Sequence, residues 1–477
     1  MKKIIQILFL LLFISFTLYS QSTFEFHLKG DQDQVPGAMI EDSQGNIIVT
    51  IWNNQYAEIL KLNQNGDIID SVKILNAVNS KCDLFSLLKS EDDQFYAFGY
   101  WEENSEFYFW VTKFDADFNL ILDSKLPVDG RVVTVYSYSI YNSEGNIVSV
   151  MPYETNPPNT KLIIYEINQN GELIQLKNLE NYGNGIIGVY DLIEIEQNKY
   201  RVYTSSSLQK TICYCNELNS DFELIDSYTI PWYLGDLTTV KKINDTSLVI
   251  AGKKILFENN DDFQLGVIKT DLQNNLLMSN DFGKIDTNDY PGNHNTMDFM
   301  EIDNIYYGGT ANLTYPYFSS IPSWLLFNKI DENLNLKWQK YYGGDACYLL
   351  MSILATQDGG CVMAGSRYDY QTQNMERDVY ILKVDEDGLI TWAYNIPEVT
   401  KETLIYPNPG NDLIYVKTLQ NNLTIELYNN NGQQTISHKI TNQNITLNTR
   451  NLNSGVYFYR ILNDKNKTIE TGKWIKN

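Results

Sequence analysis

The sequence predicts an all-β protein in two parts, a ring of about seven four-stranded units followed by a small antiparallel β-sandwich. Three observations predict it. A short turn recurs through most of the chain: aligned on Asp385, the equivalent positions are Asn63, Asp115, Asn168, Asn219, Asp271 and Asp331. The steps between them, from first to last, are 52, 53, 51, 52, 60 and 54 residues. A repeat of about 50 residues with strand-like content is the mark of a β-propeller, so the expectation is a seven-bladed β-propeller over residues 22–399. Aromatic residues make up 13% of the chain and Tyr alone 34 positions, which suits pleated surfaces filled by large flat side chains. The third observation is a change of periodicity after Pro397, beyond which short strands alternate with turns over residues 402–477.

The chain opens with Met1-Lys2-Lys3 and an apolar run from Ile4 to Leu18, followed by the small Ser20 before Gln21. A charged start and an apolar stretch too short to cross a bilayer comfortably predict a secretory signal peptide over residues 1–20. No later run is long enough for a transmembrane helix, so no membrane span is expected. Net charge is −23. The segment from Glu402 carries eight Lys/Arg against five Asp/Glu, so the acidity sits on the repeats. A field of that sign repels phosphate backbones and argues against nucleic acid as a partner.

Within each repeat four strands are expected. In the last copy they are Cys347–Leu354, Cys361–Gly365, Val379–Val384 and Leu389–Ile396, with Asp358-Gly359-Gly360 and Asp385-Glu386-Asp387-Gly388 as turns. Asp or Asn opens such turns because its side chain bonds backbone N–H groups just ahead, and Gly takes the position with positive φ. Some copies look degraded, such as Asn219-Ser220-Asp221-Phe222. Two residues before the Asp/Asn stands Lys in five copies (Lys61, Lys113, Lys269, Lys329, Lys383) and Glu in two (Glu166, Glu217). One strand is left over, Thr23–Leu28. It is expected to pair with the last repeat and close the ring, which removes an exposed strand edge.

This strand order puts the short turns on one face and the long, aromatic-rich connections on the other. Binding usually lives on long loops carried by a rigid scaffold. Trp101, Trp232, Tyr315, Tyr317 and Tyr368 are therefore the expected ligand-binding residues, on that face near the central channel. The three histidines, His27, His294 and His438, are too dispersed for a zinc site, and no nucleophile motif accompanies His294. Five cysteines, Cys82, Cys213, Cys215, Cys347 and Cys361, fit buried free thiols better than a disulfide framework, since hairpin register puts Cys361 opposite Ala355 rather than Cys347. Asp385-Glu386-Asp387-Gly388 starts like a calcium loop but lacks the distal Glu. No metal, cofactor or catalytic residue is predicted.

In the C-terminal segment the order of motifs is Tyr406-Pro407-Asn408-Pro409, then Leu427-Tyr428-Asn429-Asn430-Asn431-Gly432-Gln433, then Leu452 to Arg460 through Gly455, then Gly472-Lys473-Trp474-Ile475-Lys476-Asn477. In these residues the segment resembles the type A sorting domain of the type IX secretion system. The resemblance implies an Ig-like sandwich recognised by the type IX machinery during export across a Bacteroidetes outer membrane, with Tyr406, Pro407, Asn408, Pro409, Gly455, Lys473 and Lys476 as its sorting residues. It implies a protein secreted or attached to the outer-membrane surface, and is silent about what the propeller does. There is also a partial likeness to the Asp-box of sialidase-like propellers at Asp387, Thr391 and Trp392, with Gly388 one residue early. The propeller arginines, Arg131, Arg201, Arg367 and Arg377, show no pattern that picks out a sialidase triad.

Three functions follow as expectations. The first is a non-catalytic propeller that binds a polysaccharide or a protein. The second is a glycan lyase or hydrolase with a carboxylate pair such as Asp236 and Asp345. The third is a structural surface component.

Overall fold

The computed structural model describes residues 21–390 and 403–477, apart from residues 31, 54–55, 76–80, 133–136, 157–158, 180–185, 207–211, 231–233, 256–261, 285–286, 315–318, 373–375, 419–421, 430–431, 443 and 465–467. The expected signal peptide, residues 1–20, lies outside the described residues. The chain divides after residue 392 into two compact units. Regular structure is almost all strand. Among the described residues the single helical piece is the short turn Glu91–Asp93.

In the first unit the described strands form seven sheets, each running up and down from an inner to an outer strand. The first holds Val35–Glu41, Ile47–Trp52, Tyr56–Leu62 and Ile68–Leu75, and the second Cys82–Lys89, Phe95–Glu103, Glu106–Phe114 and Leu120–Val128. In the third, Arg131–Val132 and Tyr138–Tyr141 share the inner place beside Ile147–Asn156, Asn159–Ile167 and Leu173–Leu179. The fourth runs Ile186–Glu196, Lys199–Ser206, Ile212–Leu218, Leu224–Thr229, and the fifth Gly235–Asn244, Ser247–Ile255, Phe263–Asp271, Leu276–Phe282. In the sixth, Tyr290–Pro291 and Met297–Asp298 share the inner place beside Ile305–Ala311, Trp324–Ile330 and Leu336–Gly343. The seventh contains Cys347–Ala355, Cys361–Tyr368 and Asp378–Val384. Between neighbouring sheets lie the apolar cores. One such cluster joins Val148 and Leu162 of the third sheet to Leu192 and Val202 of the fourth. This is a β-propeller.

The recurring Asp/Asn has one job in every copy. Asp385 Oδ1 accepts the backbone N–H groups of Asp387 (3.0 Å) and Leu389 (2.6 Å). Asn63, Asp115, Asn168, Asn219, Asp271 and Asp331 each accept the matching two bonds, two and four residues on. That bonding is why the residue type repeats.

The lysines two residues earlier bind one sheet to the next. Lys61, Lys269 and Lys329 donate to the carbonyls of Ala116 (3.2 Å), Glu332 (3.1 Å) and Glu386 (2.9 Å), each the residue after the turn Asp of the following sheet. Where Glu replaces Lys, another donor makes the same bond. Glu166 accepts from Gln175 (2.6 Å), whose amide reaches Ser220 O (2.8 Å). Glu217 pairs with buried Arg201, which donates to Leu272 O. From the second sheet it is the Tyr96 hydroxyl that donates to Gln169 O (2.5 Å), with the Lys113 ammonium over its ring. The lysine of the seventh copy departs: Lys383 turns to Asp358 (2.8 Å) and Ser22 Oγ (2.7 Å).

That departure marks the seam. Phe24–Leu28 pairs antiparallel with Asp378–Val384, from Phe24 opposite Lys383 to Leu28 opposite Val379, and supplies the outer strand of the seventh sheet. The leftover strand thus pairs with the last repeat as expected. The expectation of a fourth strand at Leu389–Ile396 is corrected in its first part. Leu389 and Ile390 are not in a strand, because the edge they would join is already occupied, and residues 391–396 lie outside the described residues. All five cysteines are buried with free thiols, and Cys361 faces Ala355 in the hairpin.

The second unit has two sheets. One runs Thr403–Tyr406, Leu413–Thr418, Asn444–Asn448, the other Gln434–Ile440, Leu423–Tyr428, Gly455–Leu462, Thr468–Lys476. Leu413–Thr418 alternates exposed and buried residues, the period of a half-buried strand. Its inward Ile414 and Val416 meet Ile425, Tyr459 and Trp474 of the other sheet in one core, which makes a sandwich. The strand Gln434–Ile440 escapes a pattern reading because it is an edge, polar and mostly exposed.

Candidate functional site

Along the axis of the propeller the inner strands enclose a cavity of about 350 Å³, with lining residues from all seven sheets. Ser86, Ile140, Ile193 and Lys242 lie near the ends of inner strands that run into the short turns, so the cavity sits toward that face. The long-connection side narrows to an apolar pocket of Val35, Pro36, Trp52, Phe85 and Met351. His294 lines both spaces.

The polar groups of the cavity are held in place. Lys241 Nζ lies 2.8 Å from Asp298 Oδ1, and Asp298 Oδ2 accepts the N–H of Ala355 at 2.9 Å. Burial works against the Lys241 ammonium, and Asp298 beside it more than compensates, so its pKa lies above the usual value. Asp191 accepts the N–H groups of Leu192 (2.9 Å) and Val240 (2.6 Å), which stitches the fourth sheet to the fifth. Burial pushes its pKa up to about 7. His294 Nδ1 is 3.1 Å from Tyr138 Oη, with the two rings 4.9 Å apart. Burial pushes the histidine down to about 4, so it is neutral at pH 7. Asn295 beside it has φ 36° and donates its amide to Ile353 O at 3.1 Å. Serine hydroxyls complete the wall: Ser139 accepts from Ser149 at 2.8 Å, and Ser352 donates to Gly37 O at 2.6 Å.

Of the expected aromatic residues, the described Trp101 and Tyr368 do not line this cavity. Trp101 is not on a loop. It belongs to the strand Phe95–Glu103, its ring 5.1 Å from Trp110 in edge contact, with the Lys125 ammonium 3.8 Å from its centroid. Tyr368 ends the strand Cys361–Tyr368 and is only 6% exposed, which leaves no ring face for stacking on a ligand. Trp232, Tyr315 and Tyr317 lie outside the described residues. The carboxylates offered as a catalytic pair are separately occupied: Asp236 is ion-paired with Lys253, and Asp345 with Arg367 at 2.9 Å. Three of the four arginines are likewise spent, Arg201 on Glu217, Arg367 on Asp345 and Arg377 on Asp33. Among the described residues no group of three or more His, Cys, Asp or Glu could hold a metal ion.

Sequence reasoning missed Asp191, Lys241, Asn295 and Asp298. The available signal was a charged residue inside an apolar inner strand, as in Val189-Tyr190-Asp191-Leu192-Ile193. It does not say which strands meet.

In the sandwich the first and last motifs meet. Asn408 donates its amide to Lys473 O (2.8 Å) and accepts from Ile475 N (2.9 Å), and the Trp474 indole donates to Pro407 O (2.8 Å). Gly410 N donates to Ile475 O and Asn477 N to Gly410 O. Residues 404–477 match the family model described as the secretion system C-terminal sorting domain. The tail is a secretion-system sorting domain. Such a domain of the type IX system marks a protein that is secreted or attached at the cell surface, and implies contact with the type IX machinery.

The structure gives each sorting residue a place. Pro407, Asn408 and Lys473 join the opening of the sorting domain to its final strand, as above. Lys476 is buried and donates to Asn411 O (2.5 Å). Gly455 starts its strand at φ 155°, opposite Lys476. Tyr406 is exposed and stacks on Tyr415, ring centroids 5.5 Å apart. Pro409 precedes Gly410, which bridges to Lys476. Among the described residues no helix is long and apolar enough to cross a membrane.

No curated protein is similar to the chain in sequence. Among solved structures, the polysaccharide lyase Uly1 is 10% identical with a TM-score of 0.43, covering 77% of this chain and 100% of its own. The β-propeller domain of the Trilobed protease from Pyrococcus furiosus is 10% identical with a TM-score of 0.40, covering 73% and 95%. PorZ, a surface component of the type-IX secretion system of Porphyromonas gingivalis, is 9% identical with a TM-score of 0.21, covering 92% and 91%. Superpositions this loose say nothing about what this chain binds.

Proposed function

We propose that the mature chain is an extracellular or surface-attached binding module of a Bacteroidetes cell. In this reading the seven sheets are the seven blades of one closed propeller, over residues 22–399, and the sorting domain, residues 402–477, is an Ig-like sandwich that delivers it after removal of the signal peptide. The ligand is a polysaccharide or a protein. The observation that carries the reading is the axial cavity, whose polar side chains are fixed by bonds to neighbouring sheets before any ligand arrives. Preorganisation of this kind lowers the entropy cost of binding. It favours binding over catalysis that His294, a neutral imidazole against Tyr138, is a poor base with a pKa of about 4. The separate ion pairing of Asp236 and Asp345 weighs the same way.

The test is calorimetry of the full-length mature protein with a panel of soluble polysaccharides, followed by assay of the same mixtures for new reducing or unsaturated ends. Binding without new ends is the expected result. New ends would replace this reading with a glycan-active enzyme, and absence of both would leave a structural surface component.

A further inference from the structure

Asn295 adopts φ 36°, a left-handed conformation that is strained for most non-glycine residues. Glycine would avoid that strain. Asparagine keeps an amide on the cavity wall, one bond of which goes to Ile353 O. Around the same space stand the hydroxyls of Ser86, Ser139 and Ser352, and Lys241, which is ion-paired behind the wall with Asp298. Lys241 and Asp298 cancel each other's charge, Lys242 on the same wall is paired with Asp245 at 3.3 Å, and burial holds Asp191 largely protonated below pH 7. The cavity is thus close to neutral and lined by groups that both donate and accept hydrogen bonds. Its volume of about 350 Å³ falls in the lower part of the range for small-ligand sites, roughly 300–1,000 Å³.

Shape narrows the ligand further. Inner strands, and in the sixth sheet the link His294–Asn295 between Tyr290–Pro291 and Met297–Asp298, line the cavity, so a ligand enters along the axis. An internal segment of a polymer cannot lie across it. We infer that the axial cavity binds the end of a neutral oligosaccharide chain, with Asn295 and Lys241 as its hydrogen-bonding anchors. This rests on the reading of the propeller as a binding module and names the ligand class of that same site. Sugar hydroxyls match the dual donor and acceptor character of the serine and amide groups. A uronate or sulfated sugar would bring a charge that the Lys241–Asp298 pair does not balance.

The experiment is calorimetry of the full-length mature protein with five neutral trisaccharides: cellotriose, laminaritriose, maltotriose, xylotriose and mannotriose. At least one should bind. Asn295→Gly should weaken it about tenfold, the loss of one hydrogen bond, while the melting temperature stays close to the parent's, because relief of the backbone strain offsets the lost bond to Ile353 O and the freer unfolded chain. Lys241→Met should weaken the same ligand, with the fold checked by melting. Binding of trisaccharide by both variants as tightly as by the parent would overturn the inference. So would binding of a polysaccharide with none of the trisaccharides, an outcome that leaves the binding module standing and removes the channel as its site. Silence toward polymers and trisaccharides alike would remove both.

Discussion

Phe222 shows how single residues trade local strain for burial. It stands where Gly66, Gly171 and Gly388 stand in other repeats, with φ 55°, and its ring is fully buried against Tyr200, 5.4 Å between centroids. Phe118 and Leu334 do the same at φ 59° and 62°. The strain of about 1–2 kcal/mol is outweighed by a buried ring whose removal costs about 3–5 kcal/mol. These turns look degraded in sequence because the glycine signal is gone, yet the turn persists. Phe222→Gly should therefore destabilise the propeller, by about 2 kcal/mol net, in urea unfolding. A stabilised variant would show that strain dominates. Titrating residues make a second prediction. Burial pushes Asp83 up to about 8, against hydrogen bonds from Trp52 and Tyr100, and Asp191 up to about 7. Both folded-state values lie above the unfolded carboxylate value, so the folded chain holds protons that the unfolded chain has lost. Stability from these groups falls as pH rises toward 8. His294, lowered to about 4, acts in the opposite direction only below its unfolded value of 6.5. Melting temperature should therefore fall between pH 6.5 and 8, and Asp83→Asn should flatten that slope.

At the scale of elements the propeller depends on its junctions. In the first six sheets one donor, a lysine two residues before the turn in three of them, reaches the next sheet's turn, and where the donor changes the acceptor does not. Lys269→Met removes one such bond at Glu332 O and should cost about 1.5–3 kcal/mol, the value of a hydrogen bond to a charged group, read as a lowered denaturation midpoint. Arg201→Met should cost more, because it also strips buried Glu217 of its shortest ion pair. The seam is the exposed point of the ring. Phe24 sits in the core cluster with Val362, Ala364 and Ile381, and Gln21 and Ser22 bond Asp358. A mature chain lacking residues 21–28 should expose the edge of Asp378–Val384 and self-associate in size-exclusion chromatography. A monomeric product with unchanged melting would mean the strand is dispensable.

For the whole molecule the two units divide the labour. The sorting domain delivers, and its opening and closing motifs are joined by backbone and amide bonds. Deletion of residues 404–477 should leave the propeller in the periplasm of its host, measured by cell fractionation; normal surface delivery of that truncation would contradict the sorting role. The net charge of −23 sits on the other unit and repels polyanions.

The sequence by itself determined what depends on neighbours within a few residues. The bond from an Asp or Asn to N–H groups two and four residues on is local, so its seven copies, the hairpins around them and the closing strand were legible. Motif order did the same for the sorting domain. The edge strand Gln434–Ile440 was not legible, because an exposed edge has no apolar alternation to read. Nor was the candidate site. Trp101 and Tyr368 looked like loop aromatics, and packing placed both in strands. Asp191, Lys241, Asn295 and Asp298 converge only after inner strands far apart in sequence are brought round one axis. That convergence is a property of closure, set by the twist and packing of the sheets against one another, and no local pattern encodes it.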